Sequence, residues 1–442
     1  MSHVFHRGAK AAPPIAVSAS GLQIVDQQGR RFLDASGGAA VSCIGHGDPR
    51  VAEAIGAQVA RLDYAHSGAF TNAPAEALAE RICTATPLAM DKVHFVGSGS
   101  EAIEAAIKMA RGYHLARGDA QRHHVIARRQ SYHGNTLGAL ARGGSEARRD
   151  PYLPMMTETP RADPCFAFHE KAPGETQAAY AIRAAQSLED TILRLGPDTV
   201  SAFLAETVVG ATAGAVPPCP GYFARIREIC DRHGILLILD EVMCGAWRTG
   251  PFLACEADSV APDIVTLAKG LGGGYQPLGA VLCTARVHDA FADAPRGFVH
   301  GHTYMAHPVA CAAALAVQDV IATDGLAENV ARAGRWLQAA LADRFGQTRE
   351  VADIRGRGLL QAIELLRDPA ARYPFDPAMN IAGRIGAACR RHGLLVYPGQ
   401  GTIDGRRGDH VLLAPPYTVS KDEITEIVDR LGQAVDETLA EA

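Results

Sequence analysis

From about residue 93 onward the chain alternates short, mainly apolar runs with stretches in which apolar residues recur every three or four positions. The runs are VHFV, HHVIA, VSAFLA, ILLIL, IVTLA and AVLC. Runs of this length, rich in β-branched residues and separated by amphipathic segments, predict strands alternating with covering helices. ILLIL, at 235–239, contains no polar residue, which predicts a strand buried on both faces, as in a parallel sheet. Ahead of it, YFARIREICDRHG puts Ile226, Ile229 and Cys230 on one stripe and ends on Gly234, the pattern of a helix with a glycine stop. SEAIEAAIKMARGYH repeats Ile103, Ala106, Ile107 and Ala110 at helical spacing and offers Glu104 and Lys108 as an exposed i,i+4 pair.

The fold class is therefore α/β, with a large domain built on a mostly parallel sheet flanked by helices. Past residue 320 the pattern changes to longer helices, then GLLVYPG and HVLLAPPYTV, then a last amphipathic helix, which predicts a smaller α+β domain. The expected division is a segment 1–50, with a small hairpin in GLQIVDQQGRRFLDA, packing with the small domain; a large domain 51–320; and the small domain 321–442.

Composition narrows the function classes. The chain has 442 residues, 48% hydrophobic, enough for more than one lobe. A net charge of −5 without long Lys/Arg runs lacks the electrostatic footprint of a nucleic-acid or membrane-surface binder. Small molecules are the expected partners. The ten cysteines are scattered without a C-x-x-C pair, which argues against a zinc ribbon or a disulfide scaffold. The N-terminus MSHVFHRGAKAAPPIAV has no apolar core of a secretory signal, and no span of eighteen apolar residues follows, so a cytoplasmic protein is expected.

In open α/β sheets ligands bind at the carboxyl ends of the strands, and those positions hold candidate chemistry. After VHFV come Gly97, Ser98, Gly99 and Ser100 at a helix start, where free N–H groups and the helix dipole suit a phosphate. Alone, this turn reads as an ordinary N-cap. After ILLIL comes Asp240-Glu241-Val242, in which alternation puts Asp240 and Val242 on one face; alone, the aspartate fits a turn cap. Glu206 follows VSAFLA, and Lys269 follows IVTLA. GLGGG after Lys269 does not have the G-x-G-x-x-G spacing of a dinucleotide-binding turn.

The conjunction carries the argument. A lysine, a carboxylate and an anion cradle at the ends of separate strands meet the three needs of pyridoxal 5'-phosphate. A lysine desolvated at a strand end favours the neutral amine, the form that attacks an aldehyde. Asp240 would keep the ring nitrogen protonated.

The segments MDKVHFVGSGSEAIEAAIKMAR, SYHGNTLGAL, AETVVGATAGAVPPCPGYFARIREICDRHGILLILDEVMCGAWRTG, PDIVTLAKGLGGGYQPLGAV and HGHTYMAHPVACAAALAV, in that order, resemble the class III, or omega, aminotransferases, pyridoxal-phosphate enzymes of fold type I. The resemblance covers nearly the whole chain and implies a seven-stranded-type sheet in the large domain. It makes Lys269 the Schiff-base lysine, Asp240 the partner of the pyridine nitrogen, and Val242 and Tyr132 the residues on the two ring faces. Ser98, Gly99 and Ser100 match the phosphate turn. Thr303 matches a threonine given to the phosphate of the neighbouring subunit, which implies a homodimer with shared sites. His133 matches a family position and equally fits a role in shaping the turn with Gly134. Arg406 and Arg407 are candidates for gripping a substrate carboxylate, with solvated surface arginines as the alternative, and Glu206 is a candidate partner for that arginine when the carboxylate is absent. His300, His302 and His307 match no zinc spacing, so no metal is expected.

Departures from the family pattern are Met243 where many 4-aminobutyrate and ornithine enzymes carry glutamine, Trp247 for glycine, Thr207 for proline and Gly97 for asparagine. The first points toward pyruvate as acceptor. The implied activity is ping-pong transfer of an amino group from an amine or omega-amino acid to an oxo acid, with Lys269 moving the proton. An aminomutase or decarboxylase on the same fold, or a non-catalytic binding protein that retains it, are the alternatives.

Overall fold

A computed structural model describes residues 2–7, 12–292 and 294–442. The central feature is a seven-stranded sheet in the order Lys92–Val96, Gly279–Cys283, Ile264–Leu267, Leu236–Asp240, Val200–Glu206, His124–Arg128, Arg161–Ala162. Gly279–Cys283 runs antiparallel to both of its neighbours; the other pairings are parallel. Every residue of Val200–Glu206, Leu236–Asp240, Ile264–Leu267 and Gly279–Cys283 is buried, the physical basis of their predominantly apolar sequences.

Helices cover both faces. Tyr222–His233 ends at Gly234, whose φ of +64° is the left-handed cap that a glycine adopts without penalty. Gly99–Ala116 starts at Ser98, whose side chain accepts from the Glu101 N–H. The expected Glu104–Lys108 surface pair is corrected here. Glu104 instead accepts from Thr136 Oγ1 at 2.6 Å and Ala139 N at 3.0 Å, because a helix start packed beside it offers donors that a solvated lysine cannot match.

A second core gathers the long helices Leu326–Phe345 and Lys421–Ala440, the helix Ile381–Arg391, and a four-stranded antiparallel sheet ordered Val351–Arg357, Leu360–Leu365, Asp409–Leu413, Tyr397–Gln400. The hairpin Gln23–Asp26/Arg31–Asp34 joins it, since Arg31–Asp34 pairs in parallel with Leu394–Leu395. Helix Pro308–Thr323 serves both cores: Ala310, Cys311 and Ala314 face the large-sheet core, while Ala313, Val317, Val320 and Ile321 face the second. No single helix among the described residues is long and apolar enough to cross a membrane.

Candidate active site

The carboxyl ends of the sheet strands open on a cavity of about 160 Å³ lined by Ser98, Gly99, Ser100, Tyr132, His133, Gly134, Glu206, Ala211, Asp240, Val242, Met243, Ala268 and Lys269. Five loops that follow five different strands or helix starts deliver these residues, so the site exists only in the folded chain.

Lys269 is half-buried in the wall, with φ at +44°, a left-handed conformation that costs a non-glycine residue roughly 1–2 kcal/mol. Such strain at a chemically equipped cavity is a mark of function. Its Nζ makes no hydrogen bond or ion pair among the described residues. Burial pushes its pKa down to about 8, against the opposing pull of Asp240 and Glu206, so roughly a tenth of the amine is neutral at pH 7, far more than for a lysine in water.

Asp240 is 4% exposed and fully engaged. Oδ2 lies 2.7 Å from His133 Nδ1, and Oδ1 accepts from Val242 N at 3.0 Å and Thr266 Oγ1 at 3.3 Å. His133 Nε2 is buried without a partner. Glu206 sits beside them, accepting from Tyr132 N at 3.0 Å and Gly210 N at 2.9 Å, and burial, reinforced by Asp240, raises its pKa.

The anion cradle is shaped by glycine. A Cβ on Gly99 would stand 2.8 Å from Val242 Cγ1, and one on Gly134, whose φ is +131°, would stand 2.4 Å from Ser100 Oγ. The N–H groups of Gly99 and Ser100, in the first helical turn, have no intrahelical acceptor, while Ser100 Oγ holds the next loop by accepting from Asn135 N at 3.1 Å.

The cavity thus brings together Lys269, Asp240, Val242, Tyr132, His133, Glu206, Ser98, Gly99 and Ser100. It does not include Thr303, which lies on an exposed loop with its carbonyl accepting from Tyr64 OH at 2.9 Å. Nor does it include Arg406 or Arg407. Both are exposed, the first paired with Asp150 at 2.7 Å and the second with Asp404 at 2.7 Å. His300 packs on His302 and His94, at 4.9 and 5.8 Å between ring centroids, while His307 lies instead against Tyr64 and Tyr304.

Sequence reasoning passed over Ala211, Met243 as a wall residue, Thr266 as support for Asp240, and Arg148, whose guanidinium stands 5.1 Å from the centroid of the Tyr132 ring. Met243 carried a signal as a departure from the family pattern, and Thr266 carried another: a hydroxyl inside an apolar strand, three positions before the lysine. The departures have local causes. Thr207 Oγ1 donates to Glu241 Oε1 at 2.8 Å, helping to satisfy a buried carboxyl whose pKa burial raises to about 7. Trp247 has φ at +72°, a conformation that explains why glycine is the usual occupant; its Nε1 donates to Gln318 Oε1 at 3.2 Å.

A fold type I sheet with a half-buried lysine and a buried aspartate in one cavity defines a class of enzyme, and comparison with known proteins places the chain within it. Residues 4–435 match the family model for class-III aminotransferases. The chain is 43% identical over 440 residues to an uncharacterized aminotransferase of Schizosaccharomyces pombe, covering 99% of this chain and 96% of that one. It is 36% identical over 430 residues to a diaminobutyrate–2-oxoglutarate transaminase of Halomonas elongata, covering 95% and 90%. Its fold superposes with a TM-score of 0.90 on the pyridoxamine-phosphate-bound aminotransferase of Vibrio fluvialis, at 31% identity over 97% of this chain and 93% of that one. The chain belongs to the class III aminotransferase family and is an enzyme of that family.

Proposed function

We propose that this enzyme binds pyridoxal 5'-phosphate in the cavity around Lys269 and transfers an amino group from an amine or omega-amino acid to an oxo acid, with pyruvate as acceptor. The observation that carries the reading is the placement of an unpaired, half-buried lysine in one cavity with a buried carboxylate held by His133, Thr266 and the Val242 N–H. The residues fit the cofactor. The glycine-shaped helix start would accept its phosphate, Val242 and Tyr132 would flank its ring, and Asp240 would face the ring nitrogen.

Bound there, the cofactor supplies an aldehyde to which amines condense and a protonated ring that draws electrons from the substrate carbon. The chain's part is to hold and move protons. Asp240 keeps a proton on the ring nitrogen, and His133 fixes its Oδ2 by a 2.7 Å contact. Lys269 Nζ, with its pKa lowered by burial, takes a proton from the substrate carbon and returns it on the neighbouring side as general base and then acid. In the second half-reaction the same groups act in reverse order on the oxo acid.

A homodimer completes the site on this reading. Thr303 sits on a loop whose neighbours Val299 and Tyr304 are 64% and 67% exposed, an apolar surface that a second copy would cover while Thr303 reaches the partner's phosphate. Carboxylate recognition then falls to Arg406 or Arg407 after exchange of their present acidic partners, with Arg148 above Tyr132 as a third guanidinium at the mouth. Met243, 8% exposed, gives the wall an apolar thioether, which favours a small acceptor such as pyruvate.

The test is a matrix of amino donors against pyruvate and 2-oxoglutarate. The expected result is stoichiometric exchange of amine for ketone with pyruvate preferred. A clear preference for 2-oxoglutarate overturns the acceptor assignment, and turnover without an oxo acid overturns the transamination.

A further inference from the structure

Two cysteines outside the cavity stand together. Cys165 precedes the short helix Ala167–Glu170, and Cys219 follows the loop that leaves Glu206 and carries Ala211 into the cavity wall. The Cys219 N–H donates to Cys165 Sγ at 3.4 Å, which sets the two residues side by side. The backbone around Cys165 is fixed from both sides by Tyr180, whose hydroxyl accepts from Phe166 N at 2.7 Å and donates to Pro164 O at 3.1 Å. The loop is fixed as well: Val209 and Val216 exchange backbone hydrogen bonds at 2.9 Å, and Arg355 Nε donates to Gly214 O at 2.7 Å. Two cysteines 54 positions apart are thereby held in contact, backbone N–H to sulfur, by a frame that neither side chain builds.

The pair is asymmetric. The neighbouring Cys165 side chain, the Ala167 N–H and the nearby Lys171 ammonium hold the Cys219 thiol below its ordinary pKa against burial, while Cys165 is raised. Cys219 is also the more exposed of the two, at 7% against 2%. The remaining buried cysteines have no sulfur partner of this kind among the described residues. A thiol with a lowered pKa beside one with a raised pKa is the arrangement of an attacking and a resolving cysteine.

We infer that Cys165 and Cys219 form a reversible redox site that a peroxide closes to a disulfide, with Cys219 as the attacking thiolate and Cys165 as the resolving thiol. In the first step Cys219 sulfur attacks one oxygen of hydrogen peroxide. The O–O bond breaks, Cys219 becomes a sulfenic acid, and the departing hydroxide takes a proton to leave as water. In the second step Cys165 sulfur attacks Cys219 sulfur, the S–O bond breaks, and the hydroxyl leaves as a second water with the Cys165 proton. Two thiols are oxidised to one disulfide and one peroxide is reduced to two waters. A dithiol reductant reverses the change. The closed bond would tether the Ala211 loop to the helix at 167–170, outside the transamination chemistry itself.

The test uses the holoenzyme under native conditions. Graded hydrogen peroxide is followed by alkylation and non-reducing tryptic mapping. The expected product joins peptides 162–171 and 195–225 with loss of two alkylatable thiols per chain, and dithiothreitol restores both. In C165S the crosslink is lost and a sulfenic-acid trap such as dimedone labels Cys219; in C219S neither crosslink nor label at Cys165 is expected. Oxidation of Cys83 or other thiols ahead of this pair overturns the inference, as does over-oxidation of Cys219 with Cys165 intact. If either serine variant fails to fold, the wild-type crosslink and its order of appearance among the ten cysteines still decide.

Discussion

Gly99 offers the sharpest handle on the shape of the cavity. Replacing it with alanine places a Cβ 2.8 Å from Val242 Cγ1, 3.2 Å from Cγ2 and 3.6 Å from Ala268 Cβ. The first contact is about 1 Å inside ordinary carbon–carbon separation, and both partners belong to packed walls. Overpacking of this size costs roughly 1–3 kcal/mol. At about 1.4 kcal/mol per factor of ten, Gly99→Ala is expected to weaken pyridoxal-phosphate binding by roughly 5- to 150-fold if Val242 is displaced into the ring space. Val242→Ala removes the clashing methyls, so the double variant should recover most of the loss relative to Val242→Ala alone. The assay is equilibrium titration of apoprotein with the cofactor, with melting of the apoproteins as a control for global destabilisation. Cofactor affinity unchanged in Gly99→Ala, or losses that simply add in the double variant, would refute the placement of Val242 against the cradle.

Further expectations follow from the same geometry. Recombination of apoprotein with pyridoxal phosphate requires neutral Lys269, whose pKa is lowered to about 8. Its rate should rise with pH and level off above that value, whereas a rise continuing toward pH 10 would place the lysine in water. Glu364 is fully buried between His169 Nε2 at 2.5 Å and Arg355 Nη1 at 2.6 Å. Glu364→Gln should destabilise the fold by roughly 3–5 kcal/mol, read as a fall in Tm. Interaction with Arg355 and His169 outweighs burial and lowers the Glu364 pKa. Its folded-state contribution is therefore present at neutral pH and lost as pH falls through that lowered value, and the Tm gap between wild type and variant should narrow in acid. Tyr417→Phe removes a 2.6 Å bond to Ala246 O, behind Lys269, and should cost about 1–3 kcal/mol, measured by denaturant unfolding.

The strand ends were legible because parallel strands buried on both faces carry no charged residue until the chain emerges, so Asp240 and Lys269 stand out as the first charges after apolar runs. Gly234 was legible as a helix stop for an equally local reason. Contacts between distant segments were not. His133 and Asp240 are 107 positions apart, and nothing in either neighbourhood specifies their pairing. Arg406 and Arg407 precede an apolar strand much as a site residue would, yet acids at 150 and 404 hold them at the surface; Asp404 is a local partner three positions from Arg407, whereas only the tertiary arrangement brings Asp150 to Arg406. Glu104 shows the same limit in reverse, since helical spacing offered it a lysine and the fold supplied two better donors. Thr207 and Trp247 looked like losses of proline and glycine, and the structure gives each a hydrogen-bonding role.

The central claim is that Lys269 is the covalent anchor of the cofactor. The most direct test is borohydride reduction of the protein loaded with pyridoxal phosphate, followed by peptide mass mapping. The account predicts a stable phosphopyridoxyl addition on the peptide containing Lys269, absent in Lys269→Ala. Addition at a different lysine, or none at all in protein that retains the bound cofactor, would contradict it.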